Sequence, residues 1–278
     1  MLYNNGEPVG KVIIQLAPTG IVPTKENNSS VPITPDEIIE ETVMAYRMGV
    51  SSVHLHARDE IGRSTGRTDI YQKIVSGIRK KCPDMIICTS TTCRIEDGER
   101  DGSLICRPDF ASLTMGSVLF RSSVSVTTFD DIEYLACLMH ELNIRPELEI
   151  FEPGFINTVK YLVKKGVIHP PLHCNLILGS LGSSPADIRD ISYLVDSLPQ
   201  GTTWAASGIG RFHVQVAAAA ILMGGHIRIG LEDTLYGDFK HKTPTTNRDL
   251  IQRVITIAEA LGREIATPAE ARKILSLL

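Results

Sequence analysis

The clearest chemistry in this chain lies in Val53-His54-Leu55-His56-Ala57-Arg58-Asp59. His54 and His56 stand two apart, so on a strand they point to one face. Two inward imidazoles at a strand's end offer neutral nitrogens to zinc, at about 2.0–2.1 Å. The alternative is a pair of hydrogen-bonded core histidines, and burying two without partners is costly. A zinc site needs a further ligand. Arg228, Gly230 and Glu232 share a face near the chain's last strand-like run. Glu232 would complete a two-His, one-Glu set with an open position for substrate, which is the catalytic arrangement. An Arg228–Glu232 ion pair without metal is the competing reading. Asp233 follows directly and suits proton transfer, with Arg228 tuning or orienting it. Its other reading is a turn or cap aspartate.

Further polar groups sit at strand ends. Ser90 closes one run, Ser112 and Thr114 share a face on the next, and Glu147 and Glu149 share a face on the one after. Two buried acids are expensive unless used or neutralised. Serines and threonines there are commonly satisfied locally. Two glycine-rich loops follow later strands, Gly179-Ser180-Leu181-Gly182 and Gly208-Ile209-Gly210-Arg211. Each leads into a helix, whose N-terminal amides favour phosphate, and Arg211 could add a charged contact. Two tight strand-to-helix turns are the plainer reading. The full dinucleotide fingerprint GxGxxG is absent, and so is the GxSxG of a serine hydrolase.

These residues need elements to hold them. Apolar runs at 12–17, 52–57, 85–90, 110–115, 146–151, 173–178, 202–207 and 226–231 predict strands. Amphipathic stretches at 35–48, 69–81, 130–142, 155–165, 185–197, 212–223 and 247–261 predict helices. Thr34-Pro35-Asp36-Glu37 and Thr267-Pro268-Ala269-Glu270 read as helix starts, and Ser184-Pro185-Ala186-Asp187 as a weaker one. Gly49, Gly166, Gly224 and Gly262 read as helix stops. The stretch 96–108 predicts at most a short or irregular helix. Alternating strands and helices imply a parallel sheet. Polar residues at the ends of many strands favour a closed (β/α)₈ TIM barrel over an open sheet with one switch point. The chain reads as one domain, residues 1–278, with a long first loop from Pro18 to Ile33.

Composition narrows the class. With 278 residues, 43% hydrophobic and 22% charged, the chain is neither disordered nor a disulfide mini-domain. A net charge of −4 gives no case for nucleic acid or an anionic membrane as partner. No apolar run reaches a membrane span of about 20 residues. No secretory signal is visible, and six cysteines without a CxxC pair suit reduced thiols. A cytoplasmic location is the expectation.

The chain also resembles a known family, the β-keto acid cleavage enzymes, which include the 3-keto-5-aminohexanoate cleavage enzyme. The likeness runs nearly end to end. It rests on Pro23-Thr24-Lys25, VHLHARDE at 53–60, Ser90-Thr91, ASLTMGS at 111–117, PELEIFEPG at 146–154, NLILGSLG at 175–182, WAASGIGRF at 204–212, GGHIRIGLED at 224–233 and REIATPAEAR at 263–272. The resemblance implies a zinc-dependent barrel that condenses a β-keto acid with acetyl-CoA, releasing acetoacetate and a new acyl-CoA. It implies His54, His56 and Glu232 as zinc ligands, Asp233 as base and Arg228 as its assistant. It implies Ser90 and Thr114 as holders of the keto acid, and Glu149, or less favoured Glu147, as an acid facing a substrate ammonium. Gly179, Ser180, Gly208, Gly210 and Arg211 would receive CoA phosphates. A homo-oligomer, often a tetramer, goes with the resemblance. Some members carry an acid where Val22 stands, which puts an amine on the substrate in question. Many have Ser-Gly at Thr92-Cys93, and a longer 95–108 connection. Two other functions stay open: a metal-dependent barrel hydrolase of the amidohydrolase type, and a non-catalytic zinc-binding barrel.

Overall fold

The computed structural model describes residues 3–4, 7–121 and 123–277. Eight parallel strands close into a barrel: β1 (Ile14–Leu16), β2 (Ser52–Leu55), β3 (Ile86–Thr89), β4 (Phe110–Thr114), β5 (Arg145–Ile150), β6 (His173–Leu178), β7 (Thr203–Gly208) and β8 (His226–Ile229). Each pairs with its successor in sequence, and β8 closes on β1 through Arg228 opposite Gln15. Helices α1 (Pro35–Arg47), α2 (Thr68–Lys81), α3 (Phe129–Glu141), α4 (Pro153–Lys165), α5 (Ile188–Ser197), α6 (His213–Leu222), α7 (Asn247–Ala260) and α8 (Pro268–Ile274) lie along the chain between and after the strands. The β3–β4 crossover carries a 3₁₀ turn at Gly102–Cys106 where the others carry an α-helix. This is the (β/α)₈ barrel that the alternation of periods predicts.

Local chemistry explains where half of the eight helices start. Thr34 accepts from the Glu37 amide while the Glu37 carboxylate accepts from Thr34, with Pro35 opening α1. Thr267, Pro268 and Glu270 repeat the device in α8. Thr128 with Asp131 and Thr246 with Asp249 do the same for α3 and α7, with the shorter acid. The expected start at Ser184 is corrected. α5 begins at Ile188 after Asp187, which makes no side-chain cap bond. The Ser184 amide is instead held by the Phe151 carbonyl at 2.7 Å, which keeps residues 184–186 in the loop. Gly49, Gly166, Gly224 and Gly262 all adopt positive φ beyond helix ends, as a left-handed stop requires.

Two apolar layers form. The larger packs the outer faces of the strands against the helices. The smaller lies inside the barrel floor and joins Ile13, Ile86, Cys88 and Phe110 to Ala271 and Leu275 from the C-terminal segment. Asp109 ties this floor together, accepting from Arg79 of α2, Arg272 of α8 and the Ile87 amide. The C-terminal helix therefore plugs the end of the barrel opposite the strands' C-termini. Above the plug the interior turns polar, which departs from the usual stack of branched aliphatic layers. Gln15, His54, Glu147 and Asn175 are all buried there.

His173 and His226 mark the lower edge of that polar zone. Burial pushes the His226 pKa down to about 3, with further lowering by His173 and Arg263. Its Nδ1 accepts the Ile13 amide at 3.1 Å, so the folded state needs the neutral ring. The folded value lies below the usual 6.5, so between the two the unfolded chain binds more protons and stability rises with pH. We expect the urea midpoint to fall as pH drops from about 6.5 to 5, before most carboxylates titrate. His226→Gln should flatten that slope. An unchanged slope in the variant would remove His226 as its source.

Candidate active site

The strands' C-terminal ends surround one cavity of about 560 Å³. Its wall includes His56, Ser90, Thr114, Glu149, Gly179, Ser180, Gly210, Arg211, Arg228, Glu232 and Asp233. The sequence-predicted residues thus converge, with two exceptions. His54 lies one layer deeper, almost fully buried, with its Nε2 3.2 Å from Nε2 of His56. Gly208 stays off the wall. A Cβ there would lie 2.4 Å from the Phe212 carbonyl oxygen, so this glycine serves close backbone packing.

His54, His56 and Glu232 present one ligand atom each, all within 4.8 Å of one another. Glu232 Oε1 stands 3.2 Å from His56 Nε2, while its Oε2 is buried without a hydrogen-bond partner. Burial and the nearby Arg228 charge hold the His54 pKa well below the usual value, so its nitrogens stay free of the second proton. A close imidazole pair with His54 held neutral, an ionised carboxylate and an orphaned carboxylate oxygen fit a divalent cation.

The position of Glu232 is fixed by backbone. Its amide donates to the Ala17 carbonyl at 3.2 Å, and the preceding Leu231 amide donates to the buried Asn247 side chain at 2.9 Å. Gly230 lets β8 approach β1, since a Cβ there would sit 1.9 Å from the Ala17 oxygen. Gly20, at φ +63°, leans directly on the carboxylate side chain, and a Cβ there would meet Glu232 Cγ at 2.4 Å. Arg58 pins this loop by donating to the carbonyls of Gly20, Gly62 and Pro23 at 2.9 Å each.

Arg228 is the hub. It contacts Glu232 at 2.6 Å, Asp233 at 3.1 and 3.2 Å and Glu149 at 3.6 Å. Burial raises the Glu232 pKa, but Arg228 and the two histidines outweigh it, and the carboxyl is held well below its ordinary range. Asp233 goes the other way. Burial and the neighbouring Glu232 charge raise it despite Arg228 and the Ser207 hydroxyl, which donates at 2.5 Å. An ionised carboxylate and a more basic one therefore sit side by side, an arrangement suited to proton abstraction by the second. Asp233 makes no helix cap; it does sit in a turn, its amide donating to the Gly230 carbonyl at 3.1 Å, while its carboxylate makes this contact set.

Glu149 faces the cavity and accepts from Thr114 at 2.6 Å. Glu147 does not reach it. It lies below, accepting from Gln15 at 2.6 Å and standing 3.7 Å from His54 Nδ1. Ser90 Oγ accepts from the Thr92 amide. The glycine-rich loops differ from a free amide cradle. Gly179, Ser180 and Gly210 amides already donate to Ser184 O, Ser183 Oγ and Asp233 O. The Arg211 guanidinium lies on the wall there, and the Ser180 hydroxyl has no partner among the described residues.

Several contributors escaped sequence reasoning. Ser207 holds Asp233, Arg58 holds the first loop, and Gln15 holds Glu147. Ser207 alone carried a usable signal, being a hydroxyl at the C-terminal end of a strand.

The fold agrees with the comparisons. A family model described as beta-keto acid cleavage enzyme matches residues 11–277, and the chain belongs to that family. It is 40% identical to the 3-keto-5-aminohexanoate cleavage enzyme of Fusobacterium nucleatum, over 96% of this chain and 98% of that one. It is 36% identical to the 3-oxoadipate:acetyl-CoA acetyltransferase of Cupriavidus necator, over 95% and 94%. The apo structure of ObcA superposes with a TM-score of 0.75 at 22% identity, over 89% of this chain and 65% of that chain, a likeness of fold alone.

Gly20→Ala tests the geometry. Adding one methyl must move Glu232, and a displacement near 1 Å can lower turnover about 100-fold. The left-handed backbone should cost only about 1–3 kcal/mol of stability. We expect keto acid cleavage to collapse while the denaturation midpoint falls modestly. Retained turnover would show that the Gly20–Glu232 contact does not matter.

Proposed function

We propose that this chain is a zinc-dependent β-keto acid cleavage enzyme. It takes a β-keto acid and acetyl-CoA to acetoacetate and a new acyl-CoA. One observation carries the reading: His56, Glu232, Arg228 and Asp233 line one cavity, with His54 clustered beneath the first two, in a member of this family. The names of its relatives supply the co-substrate class, since the Cupriavidus relative uses acetyl-CoA.

His54, His56 and Glu232 would hold the zinc. Zinc bound there supplies a Lewis acid for the ketone oxygen. Asp233, oriented by Arg228 and Ser207, takes the proton from the carbon between carboxylate and ketone. The resulting enolate carbon attacks the acetyl thioester and expels CoA thiolate. The thiolate then attacks the original ketone, the carbon–carbon bond breaks, and Asp233 returns its proton to the departing acetoacetate. Ser90 and Thr114 line the wall where the keto acid must lie, although the Thr114 proton is already given to Glu149. Arg211 is exposed at the mouth and suits a CoA phosphate, with Gly179, Ser180 and Gly210 shaping the wall beside it. The whole activity falls to one domain. A cytoplasmic homo-oligomer, tetrameric as the resemblance implies, belongs to the same reading, and all six cysteines are free.

The hydrolase alternative finds little support. It needs additional histidines at the site, yet His173 and His226 border the barrel floor. Among the described residues, His56 is the histidine on the cavity wall. A non-catalytic zinc barrel would have no use for Asp233 held by Ser207 and Arg228 beside those ligands.

Purified protein should carry about one zinc per chain by elemental analysis, and acetoacetate should form only when a β-keto acid and acetyl-CoA are both present. Glu232→Gln should lose most of the metal. Asp233→Asn should keep the metal and lose about 100- to 10,000-fold in turnover. Full activity after thorough chelation would end the zinc assignment. Metal loss in Asp233→Asn would make that residue a ligand rather than a base.

A further inference from the structure

The cavity holds a cation that the chemistry above does not use. Arg94 follows Ser90 by four residues and lines the wall. Its Nε is buried with no hydrogen-bond partner, and no carboxylate pairs with it among the described residues. Its guanidinium stacks on Phe120 with the central carbon 3.9 Å from the ring centroid. Phe120 is itself braced edge-on by Phe151 at 5.8 Å. The backbone is pinned too: the Arg94 amide donates to Thr92 Oγ1 at 3.2 Å, and its carbonyl accepts from Ser64 at 2.8 Å. A stacked guanidinium on a fixed backbone presents a planar fork, the geometry that matches a carboxylate.

Arg94 is the charge on this wall that an anionic guest would pair with. Arg228 is neutralised by Glu232, Asp233 and Glu149. Glu149 is already held by Thr114 and Arg228, so it is poorly placed to attract an ammonium. The first loop adds apolar Val22 to the wall rather than a second acid. A half-buried, unpaired guanidinium is unfavourable until an anion arrives. Two sources exist, the keto acid's far end and a CoA phosphate. Depth separates them. Arg121 and Arg211 are exposed at the rim, whereas Arg94 is partly buried, close enough for Glu232 and Glu149 to act on its charge.

We propose that Arg94 binds a second, distal carboxylate, so that the preferred substrate is a β-keto dicarboxylic acid. This rests on the cleavage reading above. The test compares a six-carbon β-keto diacid with the neutral-tailed keto acid of equal length and its 5-amino analogue, each with acetyl-CoA. The wild-type enzyme should favour the diacid by at least about tenfold in kcat/KM. Arg94→Met keeps the bulk and removes the charge. It should lower kcat/KM for the diacid about 10- to 100-fold more than for the neutral acid, the range of one charged hydrogen-bonding contact. Arg94→Lys should recover part of the difference. Preference for the neutral or amino acid, or equal losses for all acids, overturns the proposal. A rise in the KM for acetyl-CoA with every acid reassigns Arg94 to a CoA phosphate and overturns it equally. If wild-type protein cleaves none of the acids, the cleavage reading itself fails. The diacid's effect on melting temperature then still decides: a rise in wild type that Arg94→Met abolishes supports the proposal, and no rise sinks it.

Discussion

One buried guanidinium governs the site. Arg228 is 3% exposed, and three carboxylates converge on it within 3.6 Å. A lone charge so placed would be prohibitively unfavourable, and so would three uncompensated acids. Together they are tolerable, but one cation cannot fully ionise all three in a dry interior. The result is a graded set. Glu232, also faced by two histidines, stays ionised, while burial raises Asp233 and Glu149. Neighbours on one short segment thus acquire opposite chemical characters from a shared partner.

That set needs a scaffold that does not yield. β8 meets β1 so closely that Gly230 has no room for a side chain, and the Ala17 carbonyl takes the Glu232 amide. Asn247 at the head of α7 grips the same segment and also donates to the Pro18 carbonyl. Below, the C-terminal helix fills the barrel floor, so the polar interior opens at the strands' C-terminal end. Strand β2 positions His54, His56 follows just past its end, and close backbone contacts position Glu232 and Asp233.

Much of this was readable in the chain. Period-two spacing alone places His54 beside His56 and Glu147 on the face of Glu149, because a strand's parity is local. The depth of each residue was not readable. Whether Glu147 or Glu149 reaches the cavity depends on the register of β5 against β4 and β6, which is tertiary. The glycine-rich loops illustrate the same limit. Their composition suits an anion, yet the amides of Gly179, Ser180 and Gly210 are satisfied by partners within the fold. Helix starts at Thr128 and Thr246 use Asp where the usual pattern has Glu, so a search for the longer acid passes over them. Arg58 and Arg94 look like ordinary surface charges in a sequence. Both are held by carbonyls or an aromatic ring that only folding brings near.

The first loop carries two neighbouring positions of opposite freedom. At Gly20 the backbone touches Glu232, so a side chain there is closed off by that carboxylate itself. Two residues on, Val22 is 62% exposed and borders the cavity, with no such contact to defend. A lineage can therefore alter what the pocket accepts by changing one side chain while the reaction centre beside it stays as it was. New specificity in such a barrel needs no rebuilding of the machinery, only drift at the free position of a loop whose other end is locked.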